Sequence, residues 1–265
     1  MNILSTDSVT RRFGDLAAVD HLTISVESGE TFGLVGRNGA GKTTLIKILT
    51  TLLPPSSGTA SIAGCDIVHD AAKVRQLIGY VPQLLSSDGA LTGYENLLVF
   101  AKLYDVPRAD RESRIREALA FMDLEASAGK LVRTYSGGMI RRLEIAQGVL
   151  HRPQLLFLDE PTIGLDPMAR HAVWQRINQL RADYGTTVFL TTHYMDEADE
   201  LCDRVAVMHL GKLAAFGTPA QLKASVGGDT TTLDEVFEHY TGGITESGGT
   251  FRETARGRRT ARRLG

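Results

Sequence analysis

The 265-residue sequence has few cysteines, one tryptophan and no long apolar run. Cys65 and Cys202 are too far apart in sequence to form a metal-binding or redox motif, so we expect two reduced thiols in a cytosolic protein. The longest apolar runs, such as residues 155–158, have the length of strands, and none approaches the roughly 18 to 20 residues of a membrane-spanning helix. No secretory signal is evident at the start. Any membrane role is therefore expected to depend on a partner.

The sequence also lacks an excess of charge of one sign. It has 29 basic and 31 acidic residues and a formal net charge of −2, whereas a nucleic-acid surface normally requires a clear basic excess. We therefore expect no nucleic acid as a partner. The charge is uneven, because residues 252–265 hold six arginines and one glutamate, a net +5, and the rest of the chain carries −7. Residues 241–265 are predicted to form a disordered basic tail.

A glycine-rich stretch at residues 36–44, GRNGAGKTT, follows an apolar run. The pattern G-x-x-x-x-G-K-T is a phosphate-binding loop, in which backbone N–H groups surround a polyphosphate and side chains would block its approach. Lys42 would reach the β- and γ-phosphates, and Thr43 would offer its hydroxyl to Mg²⁺. The helix that begins at Thr44 would point its positive end at the same anion. The sequence therefore predicts a polyphosphate site here.

Hydrophobic spacing predicts both strands and helices. Apolar and polar residues alternate over residues 8–26, which favours antiparallel strands. Helical spacing over residues 94–104 and 108–122 indicates a helical insertion at about residues 90–150. Short apolar runs predict further strands at residues 59–63, 78–82, 155–158, 187–190 and 205–208.

Two later helices have clear signals. Asp166 is a predicted N-cap, and Pro167 is the first residue of a helix that continues to Tyr184. The i, i+3, i+4, i+7 spacing of apolar side chains over residues 233–240 predicts a short helix that packs on the domain.

Polar side chains follow three predicted strands, at positions where parallel strands would bring them to one edge of a sheet. Asp159 suits Mg²⁺, directly or through water, and Glu160 suits a general base that activates water. Gln83 and His193 follow two other strands. Each also has a simpler interpretation, since the acids could cap a loop, Gln83 could be a surface residue and His193 a structural one. Phe13, likewise, could stack on adenine or be an ordinary strand residue.

A second glycine-containing helix start occurs at Ser136, Gly137 and Gly138. Helix N-termini of this kind favour anions. A single nucleotide can use only one of the two helix starts from the same subunit if they lie far apart in space. The sequence therefore predicts two anion-binding helix starts in one chain, and a nucleotide bound at one of them would not use the other if the two lie far apart.

Together these motifs resemble those of the nucleotide-binding subunits of ATP-binding-cassette (ABC) transporters, over residues 1–240. The resemblance is greatest to drug-exporter ATPases of the daunorubicin-resistance type. The common signature L-S-G-G-Q is changed here at Tyr135 and Met139, and Tyr-Ser-Gly-Gly-Met is typical of that branch. Six motifs occur in the family's order: Phe13 at the adenine-stacking position, Walker A at residues 36–44, the Q-loop Gln83, the signature Ser136, Gly137 and Gly138, the Walker B acids Asp159 and Glu160, and the H-loop His193.

The resemblance implies an α/β fold, a P-loop NTPase core with a mainly parallel sheet, an N-terminal antiparallel β-subdomain and an inserted α-helical subdomain. It also divides the chain into an ABC nucleotide-binding domain of residues 1–224, a short C-terminal helix segment at residues 225–240 and the tail at residues 241–265.

ATP and Mg²⁺ are the ligands that the resemblance implies. Glu160, His193 and Gln83 would act in catalysis, and Thr43, Gln83 and Asp159 would hold the metal. In the family, the signature meets the γ-phosphate held by the Walker A loop of a second subunit, and the D-loop contacts that subunit. The implied nucleotide-binding residues are Phe13, Gly36, Asn38, Gly39, Ala40, Gly41, Lys42, Thr43, Thr44, Ser136, Gly137, Gly138 and, in the D-loop, Asp166.

The implied function is that of an ATP-hydrolysing, energy-coupling subunit at the cytoplasmic face of the cell membrane. It would act as an ATP-sandwich dimer, expected to be a homodimer, on the separate transmembrane permease subunits of an exporter of drugs or lipid-like small molecules. A soluble ABC protein acting on ribosomes or DNA is an alternative, but such proteins usually carry two cassettes or a long coiled coil. A P-loop kinase would leave the signature and His193 unexplained. An importer is a further alternative, although no appended β-domain follows His193.

The segment after Gln83 has turn residues interspersed with the apolar side chains of Leu84, Leu85, Leu91 and Tyr94. We predict that these side chains are buried against another protein. In the resembled family, a short cytoplasmic helix of the membrane subunit docks at this place. Packing of the leucines into the chain's own helical insertion is the alternative.

Overall fold

The computed structural model describes residues 1–228 and 230–242, and a six-stranded sheet lies at its centre. Across the sheet the strands are β11 (Lys212–Gly217), β10 (Arg204–His209), β4 (Thr31–Val35), β9 (Thr187–Thr192), β8 (Leu155–Asp159) and β7 (Ile78–Val81). All neighbouring pairs are parallel except β10 and β11. The predicted mainly parallel sheet is confirmed.

A second sheet comes from the N-terminal part of the chain and is antiparallel. Its strands are β1 (Asn2–Phe13), β2 (Leu16–Leu22), β3 (Ser25–Glu27), β5 (Ser57–Ile62) and β6 (Cys65–Asp66). Strand β1 pairs with β2, β3 and β5, and β5 pairs with β6. The predicted N-terminal antiparallel subdomain is confirmed.

Helices connect and cover these strands. They are α1 (Lys42–Leu49), α2 (Ala71–Leu77), α3 (Gly93–Leu103), α4 (Arg111–Phe121), α5 (Gly137–Val149), α6 (Pro167–Tyr184), α7 (Met195–Leu201), α8 (Pro219–Val226) and α9 (Leu233–Thr241). Short 3₁₀ turns lie at Glu125–Ser127 and Val132–Thr134. Helices α3 to α5 stand between β7 and β8 and form the predicted helical insertion.

The parallel sheet is buried on both faces, which explains why its strands are continuous apolar runs. In β8, Leu155 and Phe157 pack into one cluster with the N-terminal sheet and α1. Leu156 and Leu158 point to the other face and pack with the helical insertion and with helices α6 to α9. An apolar core therefore lies on each face of the sheet. The predicted site residues follow the carboxyl ends of its strands.

Helix boundaries follow the sequence closely where capping residues are present. Helix α6 begins and ends as predicted, because the Asp166 side chain accepts from the Ala169 N–H at 2.9 Å and Gly185 closes the helix in the left-handed conformation. Helix α1 begins at Lys42, two residues earlier than predicted, because Gly41 supplies the left-handed residue that precedes it. The short helices α2, α7 and α8 were not predicted.

The C-terminal helices α8 and α9 pack into the same core as Leu156 and Leu158. Helix α8 runs across the predicted boundary at residue 224, and its Leu222 packs with Val236 and Phe237 of α9 in the same apolar cluster. The predicted short helix at residues 233–240 is confirmed as α9. The predicted basic tail lies outside the described residues from residue 243 onward.

Candidate nucleotide-binding site

The predicted site residues follow strand ends that lie at the same level. Val35 at the end of β4 pairs with Thr192 at the end of β9. Asp159, the last residue of β8, pairs with Thr191. The glycine loop, Glu160 and the segment after β9 therefore leave the sheet at one edge, where ligands of open α/β sheets bind.

The loop between β4 and α1 requires glycine at two positions. Gly41 has a φ of 107°, and a Cβ on it would lie 2.1 Å from the carbonyl oxygen of Ala18 in β2. A Cβ on Gly36 would lie 2.5 Å from the carbonyl oxygen of Met208 in β10. Neither distance can accommodate a side chain, so the loop can pass this close to its neighbours only as glycine.

The ammonium of Lys42 is buried inside this loop. Its Nζ donates to the carbonyl of Gly36 at 2.6 Å and to the carbonyl of Arg37 at 3.3 Å. It also lies 3.2 Å from Oε1 of Glu160. A buried ammonium needs such partners. They hold the ammonium of Lys42 in position beside the predicted general base.

Glu160 is the residue on which the site's polar groups converge. It is 4% exposed, and its φ of 49° is unusual for a residue other than glycine. Its Oε2 accepts from Nε2 of Gln83 at 3.2 Å. Nδ1 of His193 lies 3.2 Å from the same oxygen, although outside hydrogen-bonding geometry. The structure thus gathers Lys42, Gln83 and His193 around one carboxylate.

Asp159 has one engaged oxygen and one unengaged oxygen. Its Oδ1 accepts from Oγ1 of Thr191 at 2.6 Å and from Oγ1 of Thr43 at 3.2 Å. Its Oδ2 is buried and has no hydrogen-bond partner among the described residues. Burial raises the pKa of the Asp159 carboxyl, and the hydrogen bonds from Thr191 and Thr43 oppose that shift.

A cleft of about 470 Å³ opens over the loop. Phe13 is half exposed on its wall, beside Leu16 and Ala18, which sequence reasoning missed. Leu16 pairs with Phe13 across the β1–β2 hairpin, so the strand alternation was the signal that could have found it. The predicted residues that line the cleft are Phe13, Asn38, Gly39, Ala40, Gly41, Lys42, Thr43, Thr44, Gln83 and Glu160.

Ser136, Gly137, Gly138 and Asp166 do not line this cleft. They lie together elsewhere, because the start of α5 packs on the start of α6: a Cβ on Gly138 would be 2.9 Å from Cβ of Ala169. Ser136, Gly137 and Asp166 are exposed. The Ser136 side chain caps α5 by accepting from the N–H of Met139 at 3.3 Å. The second helix start is therefore formed, and it faces solvent.

Two further residues, absent from the sequence prediction, support His193. The Tyr194 ring lies 4.2 Å from the His193 ring, centre to centre. The Arg170 guanidinium lies 4.2 Å from the centre of the Tyr194 ring, a favourable cation–π contact. A single arginine and a single tyrosine carry no sequence motif, so only the structure reveals these contacts.

A glycine loop with a buried lysine, opening a helix at the carboxyl edge of a parallel sheet, defines a P-loop nucleotide-binding protein. Residues 19–163 also match the family profile described as ABC transporter. Over 226 residues the chain is 44% identical to a daunorubicin resistance ATP-binding protein of Streptomyces coeruleorubidus, covering 85% of this chain and 71% of the relative. A linearmycin resistance ATP-binding protein of Bacillus subtilis (strain 168) is 38% identical over 228 residues, or 86% of this chain and 73% of the relative.

Solved structures agree with the sequence relatives. An ATP-binding subunit of an ABC transporter superposes with a TM-score of 0.80 at 30% identity, covering 90% of this chain and 99% of the other. A dimeric ATP-binding cassette bound to ADP and Pi gives a TM-score of 0.72 at 25% identity, covering 81% and 98%. The chain belongs to the ABC transporter family. It is an ATP-binding, ATP-hydrolysing subunit whose role is to supply energy for transport.

Proposed function

We propose that this chain powers the export of a drug or lipid-like small molecule through separate transmembrane permease subunits, from the cytoplasmic face of the membrane. The observation that carries the proposal is the convergence of Lys42, Gln83 and His193 on Glu160 beside the cleft. The relatives named for daunorubicin and linearmycin resistance support the exporter branch. Among residues 1–228 and 230–242 no helix is long and apolar enough to cross a membrane.

In hydrolysis, Glu160 serves as the general base for the attacking water. Lys42 meets the β- and γ-phosphates, and the backbone N–H groups of residues 38–44 surround them. Gln83 orients the Glu160 carboxylate through its amide, and His193, whose ring lies beside that carboxylate, meets the reacting phosphate. Phe13 supplies the surface on which adenine stacks, which accounts for a half-exposed aromatic ring at the edge of the cleft.

The residues around Asp159 fit Mg²⁺. Its Oδ2 is buried and has no hydrogen-bond partner within residues 1–228 and 230–242, and the Thr43 hydroxyl donates to the other oxygen at 3.2 Å. Gln83 would add an amide oxygen. Oxygen donors of this kind suit a hard cation, and when bound the ion would neutralise charge on the phosphates. Thr191 donates to the same Asp159 oxygen as Thr43 does, which holds the carboxylate in place.

Two copies of the chain complete two sites. Ser136, Gly137 and Asp166 form an exposed group that does not line the chain's own cleft. A second copy placed with this group over the cleft would bring its α5 N-terminus to the γ-phosphate, which is the use such a helix start favours. The homodimer therefore answers why one chain carries two anion-binding elements.

The loop after Gln83 provides the contact with the membrane subunits. Leu84 and Leu85 are 81% and 56% exposed, whereas Leu91 is half-buried and Tyr94 packs against the helical insertion. The two adjacent exposed leucines are therefore the surface that a partner would cover.

We would test this contact with Leu84→Ser/Leu85→Ser. Co-purification with the membrane subunits should be lost while Mg-ATP binding stays intact. Val68→Ser/Leu210→Ser is the matched control, because both side chains are exposed in other turns. Continued ATP-dependent export into inverted vesicles by the Leu84/Leu85 variant would rule out this loop. Recovery of ribosomes or DNA, and no membrane partner, with the wild type would refute the exporter assignment.

A further inference from the structure

A buried ion pair lies on α5, one turn after the signature. The side chains of Arg141 and Glu144 are 2% and 1% exposed, and Nη1 of Arg141 lies 3.1 Å from Oε2 of Glu144. Burying two charges is costly, and an apolar pair of similar size often stabilises a fold equally well. The attraction between the two charges therefore does not by itself explain why they are buried, and each side chain also makes hydrogen bonds to other residues.

Arg141 binds the backbone at the end of β7. Its Nη1 donates to the carbonyl of Pro82 at 2.8 Å, and its Nη2 donates to the carbonyl of Gln83 at 3.0 Å. The guanidinium fork thus holds two successive peptide groups, including that of Gln83 itself. A planar fork with several donors suits such a task, and a lysine would not replace it.

Glu144 binds the next part of the same loop. Its Oε1 accepts from the N–H groups of Ser86 and Ser87, at 2.5 and 3.3 Å. Within the described part of the chain, residues 83–87 make no hydrogen bond to another backbone group. The ion pair therefore supplies the main fixed polar contacts of this loop, on both sides of Leu84 and Leu85.

The loop in turn places the Gln83 side chain. Nε2 of Gln83 reaches Oε2 of Glu160 at 3.2 Å, and the backbone that carries this amide is the one that Arg141 grips. A shift of the loop would move the amide away from the carboxylate. Misplacement of a catalytic group by about 1 Å can cost about 10²-fold in rate.

We infer that Arg141 and Glu144 are positioning residues for ATP hydrolysis, which act by holding the Gln83 loop so that its amide meets Glu160. The inference rests on the proposed roles of Gln83 and Glu160. It adds a connection between the helix that carries the signature and the base of the same chain's site, made of four charge-assisted hydrogen bonds to backbone groups.

The test is Arg141→Met/Glu144→Leu in the full-length chain, which removes both charges and leaves neither buried alone. We would measure kcat and KM for Mg-ATP in the wild-type and Gln83→Ala backgrounds. The double variant should lower kcat about 10- to 100-fold and change KM less than about threefold. The exposed pair Arg116→Met/Glu112→Leu on α4 is the matched control and should leave both constants unchanged.

The Gln83→Ala background separates positioning from general damage. If the pair acts through Gln83, adding the double variant to Gln83→Ala should lower kcat less than about threefold further, because residues that act as a unit are not additive. Independent, multiplied losses would overturn the inference. The inference would also be overturned if Gln83→Ala lowered kcat while Arg141→Met/Glu144→Leu kept the wild-type kcat.

Two further results keep the inference distinguishable from the proposed function. If Gln83→Ala itself turns over normally, the role proposed for Gln83 is wrong, and the positioning role falls with it. If the double variant does not fold, Arg141→Lys replaces it, since it keeps the charge and loses the fork. A folded Arg141→Lys with wild-type kcat would overturn the inference, and a kcat loss that disappears in Gln83→Ala would support it.

Discussion

At the residue scale, Asp159 and Glu160 are adjacent acids in different environments. Asp159 keeps one buried oxygen without a partner among the described residues. Both oxygens of Glu160 are engaged, by Lys42 on one side and Gln83 on the other. This difference fits the roles proposed above, in which Asp159 holds a cation and Glu160 accepts a proton.

Glu160→Gln should retain ATP binding and lower turnover by about 10²- to 10⁴-fold, because the amide cannot accept the proton of the attacking water. Nucleotide binding and steady-state phosphate release on the purified chain would measure the two effects. Glu125→Gln, an exposed acid in the helical insertion, is the control. Near-normal turnover of Glu160→Gln would remove Glu160 from the role of base.

Glu197 on α7 is a buried acid that the proposed chemistry does not use. Its Oε1 accepts from Oγ1 of Thr162 at 2.7 Å and from Nε1 of Trp174 at 2.9 Å. Its Oε2 is buried without a hydrogen-bond partner in the part of the chain that is described. Burial raises the pKa of the Glu197 carboxyl above its ordinary 4.5, against the opposing effect of the neighbouring polar groups of Thr192, Thr162 and Trp174.

A pKa that is higher in the folded state than in the unfolded state makes the free energy of unfolding depend on pH. As pH rises above 4.5, the unfolded chain loses this proton first, so the free energy of unfolding falls until the folded-state pKa is passed. Glu197→Gln, which stays neutral, should therefore gain stability relative to wild type as the pH rises from 4.5 toward neutrality. Urea unfolding across that range measures the difference. A difference that stays constant with pH would contradict the prediction.

Sequence motifs located the phosphate loop, Asp159 and Glu160, because binding a polyphosphate and a cation requires glycines, a lysine and carboxylates in this pattern. Arg141 and Tyr194 escaped prediction for a physical reason. Arg141 binds the carbonyls of Pro82 and Gln83, and Tyr194 contacts the guanidinium of Arg170. These partners lie far away in sequence, so the local sequence does not identify them.

At the element scale, capping residues fixed the bounds of one helix but did not reveal every capped helix. Helix α8 has the N-cap Thr218, a capping box with Gln221 and a proline as its first residue, and it was still not predicted. Helix α6 carries Asp166, Pro167 and Gly185 at its ends, and its bounds were predicted correctly. Helices α2 and α7 have only seven residues each and no side-chain cap. Their formation depends on packing against the sheet, and residue propensity alone indicates little over so short a segment.

The contact between α5 and α6 depends on small residues. Gly138→Ala would place a Cβ 2.9 Å from that of Ala169 and should lower the free energy of unfolding by about 1 to 3 kcal/mol through overpacking. Adding Ala169→Gly should remove the close contact, so the double variant should lose only the cost of glycine in a helix, about 1 kcal/mol. Urea unfolding of the two single variants and the double variant gives the coupling. Strictly additive effects would show that the two positions do not touch.

At the scale of the whole molecule, the exposed signature predicts association driven by nucleotide. Glu160→Gln should dimerise in Mg-ATP, because the bound ATP persists and each chain completes the other's site. Sedimentation with and without Mg-ATP measures it, and Lys42→Ala, which should lose nucleotide affinity, is the control. A strict monomer at high concentration with Mg-ATP would contradict the homodimer.

The two cysteines differ in accessibility, so a thiol reagent should label the native protein at a single position. Cys202 is buried against Gly33 of β4, where a Cβ would lie 2.6 Å from the thiol sulfur, and burial raises its pKa well above the ordinary value. Cys65 is partly exposed on the N-terminal sheet. A thiol reagent should therefore modify one site per folded chain and two after unfolding, as an absorbance assay would count. A fluorophore on Cys65 would then report the approach of two unaltered wild-type chains, without any cysteine having to be introduced or removed.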